Sequence, residues 1–230
     1  MQRLLFALTV TLAFASHAFA GERLAQWSGF YIGGHVGYGS ARASADYSLL
    51  GIPVISGAQD LEGAVYGGQL GYNFQFGQVV IGVETDISAT DQKSTATRLC
   101  VAPACALSLT QTSDGSIPWL GSTRLRLGYA AGAILFYGTG GVGYGSFKST
   151  QTLTTVLSSV TTTVSEQRAA FVAGGGIEAA LGNHWSLRAE YLHFDSAESD
   201  TTYSLAGLGL VTSKGRMSED MVRLGVNYRF

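Results

Sequence analysis

Apolar residues occupy every second position in the last stretch of the chain, MVRLGVNYRF. Val222, Leu224, Val226, Tyr228 and Phe230 lie on one face, and Arg223, Gly225, Asn227 and Arg229 on the other. A period of two with one apolar and one polar side is the pattern of a β-strand between two different environments. The pattern recurs. IPWLGSTRLRLGYA sets Trp119, Thr123, Leu125, Leu127 and Tyr129 against Ser122, Arg124 and Arg126. NHWSLRAEYLHF sets Trp185, Leu187, Ala189 and Tyr191 against Ser186, Arg188 and Glu190. GQVVIGVETDIS opposes Val79, Ile81, Val83 and Ile87 to Gly82, Glu84 and Asp86, and EGAVYGGQLGYNFQ opposes Tyr66, Leu70, Tyr72 and Phe74 to Gln69, Asn73 and Gln75. With GFYIGGHVGYGS, GAILFYGTGGVGYGSF and EQRAAFVAGGGIEAAL, eight segments read as strands.

Their spacing predicts the topology. Tight connections follow the second, fourth and sixth segments, at Phe76-Gly77, Ala131-Gly132 and Gly182-Asn183. Long ones, near 41–61, 89–116, 149–163 and 197–216, follow the odd-numbered segments. A soluble sandwich has no reason to sort its loops in this way. An all-β, eight-stranded, antiparallel, up-and-down transmembrane β-barrel has one, because its periplasmic turns are short and its outer loops long. The third and fourth long connections, TQTLTTVLSSVTTTV and SDTTYSLAGLGLVTSKG, are rich in β-branched and apolar residues. Strands are predicted to continue there above the membrane as hairpins, offering a surface to a ligand or partner.

The start of the chain belongs to a different part of the picture. MQRLLFALTVTLAFASHAFA has a basic Arg3, an apolar core too short to span a bilayer, and Ala18-Phe19-Ala20 at its end. This predicts a cleaved signal peptide over 1–20 and leaves 21–230 as the barrel domain. Such a barrel lies in the outer membrane of a Gram-negative cell, in contact with lipid. The net charge of −2 carries no basic field for nucleic acid.

Charged residues make up only 13% of the chain, which sharpens the question of where they point. A charge on the lipid face costs roughly 2–4 kcal/mol at mid-membrane. Glu84, Asp86, Arg124, Arg126, Glu178, Arg188, Glu190 and Arg223 are therefore predicted to face the lumen, four acids with four bases. Glu84 can meet Arg124, and Glu190 can meet Arg223, across neighbouring strands. Buried charges require partners. The network reads either as a structural plug or as the lining of a narrow water path.

Other candidate chemistry is sparse. FYGTGGVGYG contains G-x-G-x-x-G at Gly138, Gly140 and Gly143. A dinucleotide site needs a helix after the glycines and an acid about 20 residues on. Here the continuation is Ser/Thr/Val-rich and reaches no acid before Glu166, so the glycines read as part of the fifth strand. Cys100 and Cys105 lie in the second long loop of an exported chain and are predicted to form a disulfide. His35, His184 and His193 are scattered, without ligand spacing, so no metal or cofactor is expected. His193, close to Asp195 and Ser196, reads as a rim hydrogen bond rather than a catalytic residue. Trp119, Tyr129, Trp185 and Phe230 are predicted at the lipid interfaces.

GFYIGGHVGYG, YGGQLGYNFQ, TGGVGYG, AEYLHFD and the terminal VRLGVNYRF together resemble the small outer-membrane β-barrel proteins of alphaproteobacteria. That resemblance covers essentially all of 21–230. It implies insertion by the barrel-assembly machinery, which reads a C-terminal aromatic strand, here with Tyr228 and Phe230. It also implies surface-exposed, sometimes immunogenic loops and a role in envelope integrity. The chain ends at the barrel strand, so no appended periplasmic peptidoglycan-binding domain is expected. Some relatives are described as porin-like and some as haemin-binding, but no haemin-binding residues carry over. The expected function is that of a non-enzymatic envelope protein. A narrow porin is the alternative, and a rim-located enzyme or a haemin-binding surface protein lies further off.

Overall fold

A computed structural model describes residues 25–49, 52–100, 109–154, 159–196, 199–205 and 209–230. The predicted signal peptide and Cys105 lie outside the described residues, and of Cys100 only the backbone is described, at the end of a strand. The strands are β1 (Gly29–Leu49), β2 (Ile52–Phe76), β3 (Val79–Cys100), β4 (Leu109–Ala131), β5 (Ile134–Thr154), β6 (Ser159–Ala180), β7 (Trp185–Ser196), β8 (Ser199–Leu205) and β9 (Gly209–Arg229). Each pairs antiparallel with its neighbour, and β1 pairs with β9 from Tyr31↔Arg229 to Leu49↔Val211, closing the sheet. Both β7 and β8 pair with β9, one above the other. They are one barrel strand interrupted after Ser196, so the closed wall has eight strands although nine are counted.

The alternation decides which way each side chain points. Phe30, Ile32, Leu70, Phe74, Ile81, Val83, Leu125, Leu127, Phe136, Val142, Leu187, Leu224 and Val226 are exposed on the outer surface. In water this would be an implausible amount of apolar surface; against hydrocarbon it is the required one. Aromatic side chains gather near the turn end of this band. Phe30 packs on Tyr72 at 4.5 Å, and Tyr228 touches Trp185 at 5.0 Å and Phe230 at 5.3 Å. Near the other end Trp119 lies 6.4 Å from Tyr144. Polar residues then take over the outer surface, marked by Tyr38 donating to Glu62 and by the Arg42–Asp60 and Arg216–Asp195 pairs. Predicted interface residues Tyr129, Trp185 and Phe230 are exposed at the turn end, and Trp119 is half-buried at the outer end.

A membrane-crossing strand needs about 9–11 residues, yet β1 to β6 run 21 to 25 residues each. The surplus stands above the membrane. Antiparallel strand pairs flank all four long connections, including the first and second, for which the sequence predicts no hairpin. In the second the alternation is carried largely by Ala, Ser and Thr, with little hydrophobic contrast, whereas in the first Ala41, Ala43, Ala45, Tyr47 and Leu49 alternate with Arg42, Ser44, Asp46 and Ser48. The wall splits as it rises: β2 and β3 stay paired only up to Glu62↔Lys93, and β6 and β7 only up to Ala170↔Ser196. Two four-stranded paddles result, β8-β9-β1-β2 and β3-β4-β5-β6.

The turns fall one residue from the predicted positions, at Gly77-Gln78 and Gly132-Ala133, with a longer turn from Leu181 to His184. Gly77 and Gly132 adopt φ of 62° and 60°, and a Cβ at either would meet nothing within 4 Å. The cost of a side chain there is purely conformational. Gly132→Ala is expected to lower unfolding stability by about 1–2 kcal/mol, read as a shift in the urea midpoint of the bilayer-embedded protein.

Candidate functional site

Inward positions fill the lumen in layers. At the turn end Trp27, Val80, Ala130, Leu135 and Tyr137 form an apolar floor. Trp27 precedes β1 and folds beneath the barrel, with Arg229 stacked 4.9 Å over its ring. Above it sit all eight predicted lumen charges, none more than 5% exposed. Arg124 is the hub. It donates to Glu84 (2.5 Å), Asp86 (2.9 Å) and Glu190 (3.0 Å). Arg188 reaches across the lumen to Glu84 (2.5 Å), and Arg223 donates to Glu190 (2.8 Å) and Asp86 (3.1 Å). Arg126 pairs with Glu178 and lies 3.6 Å over the Tyr137 ring. Both neighbour pairs expected from the register, Glu84 with Arg124 and Glu190 with Arg223, are present.

Neutral groups add further bonds to the carboxylates, whereas Arg124 Nε, Arg126 Nε and Nη1, and Arg188 Nε and Nη2 are buried with no hydrogen-bond partner among the described residues. Tyr31 donates to Glu84 (2.7 Å), Ser122 to Asp86 (2.5 Å) and Tyr137 to Glu190 (3.1 Å). Ser186 and Asn227 donate to Glu178. His35 bridges Gln69 (2.6 Å) and Ser88 (2.7 Å). The sequence marked Gln69, Ser122, Ser186 and Asn227 only as polar-face positions, and it left His35 and Tyr31 without a role. Parity could have placed all of them inside. Glycines opposite the large residues make the room: a Cβ on Gly37 would come within 2.7 Å of the Arg223 Cβ, and one on Gly71 within 2.3 Å of the Tyr31 ring.

Above the charges the interior turns apolar again. Val65, Val172, Leu192, Phe194 and Met221 form one layer, and Ala41, Leu61 and Ile117 the next. A polar lumen from end to end, which the alternation implies, is not what the chain builds. A narrow barrel is packed as a core, and inward positions take whatever fills it.

Glu219 lies in this outer region, beyond the last lipid-facing residues Val222 and Tyr191, and it is 2% exposed. Its nearest partner is Gln92, which donates at 2.8 Å. Burial, with Asp220 next to it, pushes its carboxyl up to about 7, against the opposing effect of the Gln92 bond. The folded state thus holds a proton that the unfolded chain has released, and stability falls as pH rises from about 4.5 to 7. Glu219→Gln is expected to abolish this loss, for a gain of up to roughly 3 kcal/mol over wild type at pH 8 and little at pH 4. Urea titrations of both proteins at the two pH values test it.

His193 makes the expected rim hydrogen bond, but with Asp220 rather than Asp195. His193 Nδ1 lies 2.7 Å from Asp220, which also accepts from Tyr191 Oη (2.5 Å), while Asp195 pairs with Arg216. The His193–Asp220 contact sits on the outer surface, away from the lumen, because strand parity turns both residues outward. His184 Nδ1 contacts the Arg229 carbonyl at 2.9 Å and stacks on Tyr228. Among the described residues no group of three His, Cys, Asp or Glu side chains could hold a metal. Gly138 and Gly140 lie in β5 facing outward, and a Cβ on Gly143 would strike the Phe194 ring at 2.6 Å. These glycines accommodate packing, not phosphate.

Known proteins agree with this architecture. The chain is 32% identical over 211 residues to the 31 kDa outer-membrane immunogenic protein of Brucella melitensis, covering 89% of this chain and 84% of the relative. It is 29% identical to the 22 kDa outer membrane protein of Rhizobium leguminosarum bv. viciae, covering 89% and 78%. Among solved structures, the outer membrane protein OprG of Pseudomonas aeruginosa superposes with a TM-score of 0.51 at 13% identity, covering 90% of this chain and 98% of that one. The outer membrane protease OmpT of Escherichia coli gives 0.51 at 9% identity, over 89% and 98%. Both share the fold alone. The family model described as outer membrane protein beta-barrel domain matches residues 6–230. The chain belongs to that family and is a β-barrel protein of the outer membrane.

Proposed function

We propose that this protein is a closed, non-enzymatic barrel that stabilises the outer membrane and presents its outer hairpins as a contact surface. The observation that carries this reading is the filled lumen. Arg124, Arg188 and Arg223 tie β3, β4, β7 and β9 together across the interior through Glu84, Asp86 and Glu190. Apolar layers seal the network on both sides, so an ion would have to displace charged partners and then cross hydrocarbon. The His193–Asp220 pair faces away from the mouth, and Asp220 is shared with the Tyr191 hydroxyl on the outer surface, which supports a structural role for it. The named Brucella relative is described as immunogenic, and exposed paddles are the surface on which this chain would share that property.

Efflux of graded solutes from liposomes carrying the folded 21–230 chain tests the reading. Folding is verified first by heat-dependent gel mobility. The expected release equals that of empty liposomes for every solute. Release with a size cutoff that changes on neutralising Arg124 or Glu84 would replace this reading by a narrow porin.

A further inference from the structure

The two seams where the wall splits are unequal. At the first, β2 carries Pro53, which has no N–H to offer, and the charged Arg42–Asp60 pair stands beside it. Proline and charge are common protections of an open edge. At the second, β6 continues for eleven residues above its last pair with β7, from Ser159 to Ala169. Among the described residues this stretch pairs only with β5, and β8 pairs only with β9. Its sequence from 159 to 169, SVTTTVSEQRA, has no Pro, and its charged residues, the paired Glu166 and Arg168, lie at the rim end and leave 159–165 uncharged. Thr161 and Thr163 meet Thr152 and Thr150 across the β5 side at 3.1 Å each, which ties the strand to β5. Among the described residues, the outer edge of β6 is therefore a row of backbone donors and acceptors without a ladder partner, continuous with an existing ladder.

A second feature lies at the foot of the same seam. A cavity of about 50 Å³ opens in the mouth of the barrel, lined by Ile117, Leu120, Phe147, Ala170, Phe194 and Met217. It reaches Ala170 and Ser196, the last pair of the β6–β7 ladder. Arg168 also borders it but is paired with Glu166 at 2.9 Å, and Glu219 is held by Gln92. Space of this size takes roughly three or four heavy atoms, and its lining favours a neutral branched aliphatic group.

We propose that the β6 edge binds an extended peptide segment of a partner protein, which adds as a strand antiparallel to β6 and sinks one aliphatic side chain into the cavity. Backbone pairing supplies affinity and the pocket supplies selectivity, as in other cases of strand addition. Strand β6 runs from the outer tip towards the membrane, so the added strand runs outward from the rim. Its first residue lies opposite Arg168, a position whose side chains point into the lumen. An N-terminal Leu or Val fills the cavity, and alternating small β-branched residues follow. This deepens the contact-surface reading and rests on it, but it is independent of whether the lumen conducts; efflux alone decides the latter.

The test uses the full mature protein in lipid nanodiscs and a fluorescein-labelled peptide, Leu-Thr-Val-Thr-Val-Thr. Saturable binding by anisotropy is expected, with backbone amides within 163–168 exchanging at least tenfold more slowly in the bound state. N-methylation of alternate peptide amides, which removes ladder donors without touching the protein, is expected to weaken binding at least tenfold. Gly for Leu in the peptide, or Ala170→Leu in the protein, is expected to weaken it about tenfold as well. Absence of saturable binding overturns the proposal, as does binding indifferent to N-methylation or protection at another strand. Equal affinity for the Gly and Leu peptides removes the pocket from it. Concentration-dependent protection of 159–167 without any peptide assigns the edge to a second copy of this chain and overturns the proposal also.

Discussion

Arg124→Met is expected to cost about 3–5 kcal/mol of unfolding free energy, the range for breaking a buried ion pair by removing one partner. Arg124 touches three carboxylates, and its side chain is fully buried. Methionine fills most of its volume and leaves Glu84, Asp86 and Glu190 sharing Arg188 and Arg223. The loss comes from carboxylates stranded in a poorly solvated interior. It does not measure the net worth of the whole network, which an apolar repacking could match. Urea titration in bilayers, followed by tryptophan fluorescence and gel mobility, gives the number. A cost below about 1 kcal/mol, typical of exposed pairs, would mean that water reaches the carboxylates, and the lumen would have to be reconsidered as a path.

The adjacent residue carries the second large effect, for the opposite reason. Leu125 points outward in the middle of the apolar band and is 69% exposed. Leu125→Arg is expected to destabilise the embedded protein by roughly 2–4 kcal/mol, the midplane cost of an arginine on a barrel's lipid face. The same change at a rim position such as Ser40 should cost about 1 kcal/mol or less. If both variants lose equally, the membrane does not lie where the apolar band places it. Arg124 and Leu125 thus exchange requirements across one peptide bond, and the pleat of the strand is the whole of the difference.

That pleat explains how far the sequence could be read. Strand parity assigns a face to every residue, so the strand order, the antiparallel closure and the inward direction of all eight charges follow from alternation and loop spacing. Ladder partners follow too, as Glu84 and Arg124 show. Contacts across the lumen do not. Nothing in a linear pattern says that Arg188 of β7 meets Glu84 of β3, because that depends on barrel diameter and stagger. Glu219 and Met221 share the inward face of β9 with Arg223 and could have been placed by parity, but an acid and an apolar residue there do not look alike. The Trp27 floor was hidden because it precedes the first strand and has no period. The hairpin of the second connection was hidden because Ser, Thr and Ala alternate with little hydrophobic contrast; that of the first was legible by parity, with Ala41, Ala43, Ala45, Tyr47 and Leu49 opposite Arg42, Ser44, Asp46 and Ser48.

The cross-lumen pairs also set an order in time. Arg124 to Glu190, Arg188 to Glu84 and Arg223 to Asp86 each join strands that are not neighbours in the wall. None can form while the sheet is an open ribbon; all become available together once β1 meets β9. The network is therefore a latch that closes only after β1 meets β9, and its loss is expected to appear in the escape rate rather than in the rate of entry. Weakening it by about 3 kcal/mol would speed unfolding by on the order of a hundredfold and leave insertion nearly unchanged. A protein built this way owes its persistence in the envelope to slow departure.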